Sequence, residues 1–168
     1  MGPEGRPAQP LYTFAERRRR DSSPWTLVQG VLAPVQFAIF LISLGLVLRA
    51  LVTGEGQCAA EISVVVKTLA LYAIMVTGSI WEKVVFGRWL FAPAFFWEDV
   101  VSMLVLALHT AYLAALATDA MSGQALLLLA LAAYAAYVVN AAQFLLKLRA
   151  ARLEGAGGHA PRLAEALP

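Results

Sequence analysis

One short stretch, Ser79 to Asp99, holds Glu82, Lys83, Arg88, Glu98 and Asp99 between two long apolar runs, with the sequence SIWEKVVFGRWLFAPAFFWED. Interleaved with those charges are Trp81, Phe86, Trp89, Phe91, Phe95, Phe96 and Trp97. The carboxyl groups at its two ends are the acid/base candidates. The part between them, Val84 to Phe96, is too short to span a bilayer and carries Gly87, Arg88 and Pro93, yet it is as apolar as its flanks. A plain aqueous loop would be hydrophilic, so this link is expected to lie in the membrane interface or to fold back as a cover. A cover that excludes water is the setting in which a carboxyl group keeps a proton to donate near neutrality. The rings would suit a flat, greasy ligand.

Other polar residues sit inside apolar runs, where a charge at mid-membrane costs about 2.5 to 3.5 kcal/mol on insertion scales. Gln29 and Gln36 are seven apart and share a helix face; Lys67, Leu71, Gly78 and Glu82 share another. Glu98, Ser102 and His109 fall within about 40° of one another. Asn140 and Gln143 follow in the last run. If these faces converge, the bundle holds a polar pocket open at one membrane surface, with His109 about 15 to 18 Å in and Lys67 about 12 Å from the opposite surface. Structural roles compete with this reading. Glu98 and Asp99 suit the first turn of a helix, where acids meet free N–H groups. Glu82 and Lys83 suit a snorkelling interfacial pair, and the Trp and Phe residues an aromatic belt. His109, Asn140 and Gln143 suit interhelical hydrogen bonds, and His159 in the tail is expected to have no role.

The elements that must position these groups follow from composition. Of 168 residues, 60% are hydrophobic and 14% charged, and the mean hydropathy is +0.69. Such a chain belongs in a bilayer. Four runs are long enough to cross it, at 25–51, 59–81, 97–117 and 124–148. They predict an all-α, integral membrane four-helix bundle over residues 23–152, with an interfacial link at 84–96. A disordered basic tail is expected over 1–22 and a disordered tail over 153–168. The turns TGEGQCAAE and TDAMSGQ lack Lys and Arg, whereas Arg17 to Arg20, Lys83, Arg88, Lys147, Arg149 and Arg152 fall on the other side, with Arg49 the exception. The positive-inside rule therefore puts both termini in the cytoplasm. The run after ERRRRD is too long for a signal peptide. A net charge of +2 and one cysteine, Cys58, give no case for nucleic acid, a disulfide or a zinc site.

The block GSIWEKVVFGRWLFAPAFFWEDVVSMLVLALHTAYLAAL, with WTLVQGVLAP before it and YAAYVVNAAQFLLKLRAARL after it, closely resembles the 3-vinyl (also called 2-vinyl) bacteriochlorophyllide hydratase family. The likeness runs from about Leu11 to Leu153. It implies a multi-pass inner-membrane enzyme of bacteriochlorophyll synthesis that hydrates the C3 vinyl group of a magnesium tetrapyrrole to a 1-hydroxyethyl group, without a cofactor of its own. Set against that chemistry, either Glu82 or Glu98 is the acid, and its partner or Asp99 is the base that orients water. His109 is either the base or the ligand to the substrate's magnesium. Trp81, Trp89, Phe95, Phe96 and Trp97 are candidate ring contacts, Lys83 and Arg88 are placed for the substrate's propionate, and Gln29, Asn140 and Gln143 are further pocket residues. A homodimer, or association with other pigment-synthesis enzymes, is compatible with four helices around so large a ring. The rival reading is a non-catalytic membrane protein that binds or assembles pigment.

Overall fold

The computed structural model describes residues 11–157. Its elements are α1 (Phe14–Ser22), α2 (Pro24–Thr53), α3 (Gln57–Phe86), α4 (Phe96–Ala117) and α5 (Gly123–Gly157), with no strand among the described residues. The last four are long and apolar enough to cross a membrane, so this is a multi-pass membrane protein. α2 packs along α3 and α4 along α5; α2 meets α5, and α3 reaches α4 and α5, to join the two hairpins. Phe40, Val47, Val64, Leu71, Val105, Tyr112, Leu127 and Tyr134 form the common core. α2 continues through Pro34, whose missing N–H a long helix in a bundle tolerates.

Three boundaries differ from expectation. α3 runs on through Lys83 to Phe86, one turn past the predicted end, and stops at Gly87, which takes the left-handed conformation (φ 78°) that closes a helix. At the chain's start, the disorder expected through residue 22 is replaced over 14–22 by α1. Thr13 and Glu16 form a reciprocal capping box at its N-terminus, with Thr13 N–H donating to Glu16 Oε2 at 2.8 Å. α5 likewise continues past 153 to 157, and the remainder of both expected tails, with His159, lies outside the described residues.

α1 is tied to the bundle rather than free. Thr26 Oγ1 donates to Arg20 O at 2.6 Å and accepts from Trp81 Nε1 at 3.0 Å. Tyr12 is buried, stacked on Phe86 with centroids 5.7 Å apart, under the Arg20 guanidinium. A second apolar cluster of Tyr12, Val85 and Phe95, flanked by Trp81, Phe86 and Phe144, thus closes the end of the bundle that carries the basic residues.

Candidate active site

The polar side chains do not pool in one open pocket. They separate into three sets, two side by side at the basic end and one deep, and Gln29 belongs to none, since its Nε2 donates to Thr77 Oγ1 at 2.7 Å along the α2–α3 seam.

The first set lies beneath the link 87–95. Glu82 on α3 and Asp99 on α4 are both buried, and their carboxyl groups are neighbours beneath the link. Asp99 Oδ2 accepts from Phe91 N–H at 2.7 Å, and Glu82 Oε2 accepts from Ala92 N–H at 3.4 Å. The link is therefore bonded to both acids. Phe91 adopts φ 58°, a left-handed conformation that costs a non-glycine residue roughly 1–2 kcal/mol. The short bond to Asp99 is what offsets that strain. Two carboxylates side by side away from water repel each other, and one proton shared between the groups removes that repulsion. Asp99, which accepts the shorter N–H bond, is the better placed of the two to carry negative charge. Asp99 thus caps the link, and no side chain caps α4 itself.

The second set is held by Glu98, whose side chain leaves α4 about 100° away from that of Asp99. Lys147 Nζ donates to Glu98 Oε2 at 2.6 Å, a charge-assisted pair with the acid buried. Asn140 Nδ2 donates to Glu98 O at 2.9 Å, and Asn140 Oδ1 accepts from Ser102 Oγ at 3.2 Å. Asn140 here fastens α5 to α4. Gln143, one turn away, keeps a buried Oε1 without a partner.

The third set is deep. His109 is fully buried; its Nδ1 lies 2.8 Å from Val105 O, and its Nε2 has no partner. A carbonyl only accepts, so Nδ1 carries hydrogen and Nε2 presents its lone pair. Ten residues of α4, about 15 Å of rise, separate it from Asp99, so His109 is not a base for the first set. Beside it, Tyr134 bonds Ser43 at 2.5 Å, and Lys67 Nζ stands over the Tyr137 ring.

The expected ring contacts divide. Phe95 is buried among Tyr12, Trp81, Phe86 and Phe144, and Trp81 is half-buried there. Trp97 (69% exposed), Trp89 and Phe96 face outward, together with the exposed Lys83 and Arg88. Lys83 Nζ donates to Gly87 O at 3.0 Å and lies 5.9 Å from the Trp89 centroid. With Ala92 and Phe95 packed inward, the acid pair is sealed, and a ring edge reaches it only if the link or the α3–α4 seam parts. Sequence reasoning missed Lys147 as the partner of Glu98 and Tyr12 as part of the cover. The Thr13-x-x-Glu16 capping signal would have found α1; nothing local in the sequence marks the Glu98–Lys147 pair.

Fold and site together define a multi-pass membrane protein with a shielded carboxyl pair at the basic end of a four-span bundle. The chain belongs to the 2-vinyl bacteriochlorophyllide hydratase family, and so to the hydro-lyases: that family's profile matches residues 12–150, the stretch from the buried Tyr12 through most of α5. The 2-vinyl bacteriochlorophyllide hydratase of Rhodobacter capsulatus is 61% identical over 161 residues, covering 96% of this chain and 94% of the relative. That of Cereibacter sphaeroides is 64% identical over 148 residues, covering 88% and 92%. No solved structure matches the chain.

Proposed function

We propose that this protein adds water across the vinyl group of a magnesium tetrapyrrole of the bacteriochlorophyllide class, with Glu82 and Asp99 as its acid and base. The relatives' names supply the reaction, and the observation that carries the assignment is the buried contact between those two carboxyl groups. Glu82 gives its proton to the terminal vinyl carbon, which becomes a methyl group. The positive charge left on the inner carbon is spread over the conjugated macrocycle and faced by the Asp99 carboxylate. Water attacks the inner carbon and passes a proton to Asp99; transfer between the paired acids restores the starting state. One water is added and no electron changes hands, so the step needs no redox cofactor.

Glu98 is the weaker candidate acid, because its carboxylate is already committed to Lys147. His109 fits a ligand to the magnesium the substrate carries, since a ring with Nδ1–H on a backbone carbonyl and a bare Nε2 is the arrangement metal-binding histidines adopt. Phe95 and Trp81 would line the ring's path, and Trp89, Phe96 and Trp97 the outer approach. The basic end of the bundle would face the cytoplasm across the inner membrane.

The test is incubation of purified protein with a vinyl-bearing magnesium tetrapyrrole. Hydratase action adds the mass of one water to the pigment and shifts its absorption band. Pigment that binds and is recovered unchanged in mass would make the protein a carrier and end the catalytic reading.

A further inference from the structure

Lys67 has no role in the chemistry above, yet it is the least expected residue in the bundle. It lies in a membrane-spanning helix, is 0% exposed, and its Nζ has no hydrogen-bond partner. The Tyr137 ring, 3.8 Å away at its centroid, is its main compensation. A desolvated cation–π contact returns about 2 kcal/mol or somewhat more, whereas a desolvated unpaired charge costs several. Among the described residues no carboxylate pairs with Lys67: Glu61, six residues back along α3, accepts from Gln57, Glu82 lies fifteen residues further along the helix beside Asp99, Glu98 pairs with Lys147 and Glu55 with Arg49. A methionine of similar length would fill the same space without this cost. Further buried polar atoms without partners occupy the bundle interior: His109 Nε2 and Tyr112 OH, one turn apart on α4, and Gln36 Nε2 on α2.

From these observations we infer that Lys67 is one half of an ion pair whose other half arrives with the ligand: it receives the free carboxylate of the tetrapyrrole while the vinyl edge meets Glu82 and Asp99. This rests on the function proposed above. Glu82 and Lys67 both project from the inward face of α3, and Asp99 and His109 from the inward face of α4, so both sites flank one seam. Along α3, Lys67 and Glu82 are fifteen residues apart, about 22 Å between their backbones, a gap that the tetrapyrrole and its propionate arm close together with the reach of the long Lys67 and Glu82 side chains. The carboxylate is thereby assigned to the bundle interior rather than to Lys83 and Arg88, which are exposed at the surface.

The experiment measures equilibrium binding of the free-acid tetrapyrrole and of its methyl ester, followed by pigment absorption, in wild type, K67M, K67Q and K67R, with hydration rates measured in parallel. Wild type binds the acid more tightly than the ester, K67M and K67Q reduce that acid-to-ester ratio at least about tenfold, and K67R keeps a preference for the acid. The ligand-free K67M protein has a higher thermal midpoint than wild type, because an unpaired buried amine has gone. A wild type without acid preference overturns the inference, as does an unchanged ratio in the folded neutral variants or a lower midpoint for K67M. Since the ratio is read from binding, a protein that discriminates acid from ester but never adds water would sink the hydratase reading and leave this inference standing.

Discussion

Replacing Glu82 by Gln removes a transferable proton and almost nothing else. The Gln amide is isosteric, its Nε2–H can donate to Asp99 as the protonated carboxyl did, and its Oε1 can keep the 3.4 Å contact to Ala92 N–H, too long to contribute much. Folding stability should therefore change by less than about 1 kcal/mol. The chemical step should lose the share a positioned general acid supplies, about 10²- to 10⁴-fold in kcat, or about 3 to 5 kcal/mol of barrier. KM should stay near that of wild type, because the proton acts in the transition state and not in ring binding. The assay is the initial rate of hydroxyethyl product, by mass and absorption, on detergent-purified protein, with thermal unfolding in parallel. A folded E82Q protein that turns over within about threefold of wild type, a loss too small for a general acid, would refute the assignment.

Three further outcomes follow from the same geometry. Lys147→Met strips the buried Glu98 carboxylate of its 2.6 Å partner and should cost about 1–3 kcal/mol in thermal or denaturant stability, part of which returns in the K147M/E98Q double variant; an additive double variant would show that the pair contributes nothing. His109→Ala should lower affinity for the magnesium tetrapyrrole more than for its metal-free form in a binding titration, whereas equal losses would assign the imidazole to packing. Phe91→Gly should be tolerated in thermal unfolding, because glycine accepts φ 58° without strain, while Phe91→Val should lower the midpoint; the reverse order would mean that the left-handed turn is not what Asp99 supports.

The four spans were legible because runs of apolar residues can be satisfied in lipid only as helices, and the short turns lacking Lys and Arg fixed their pairing into hairpins. What escaped was the phase of α4. Glu98 and Asp99 are neighbours in sequence, but one turns to Lys147 on α5 and the other to Glu82 on α3. The link before α4 leaves its rotation open, so sequence alone could nominate three acids and not pair them. The aromatic residues escaped for a related reason: Phe95 and Trp97 are two apart, yet one is core and the other faces out, because the chain enters a helix between them. α1 was hidden by its arginines, which read as a tail although Thr13 and Glu16 already spelled a helix start. Lys67 was recognisable as an outlier by depth; its lack of a partner became visible only once the surrounding acids had been placed.

Two shielded carboxyl groups that hold one proton between them are read directly by infrared difference spectroscopy of the purified protein at neutral pH. Such a pair gives a protonated-carboxyl C=O band that shifts in heavy water, survives in E98Q and disappears in E82Q. A wild-type spectrum containing only carboxylate bands, or a protonated band that persists in E82Q, would contradict it.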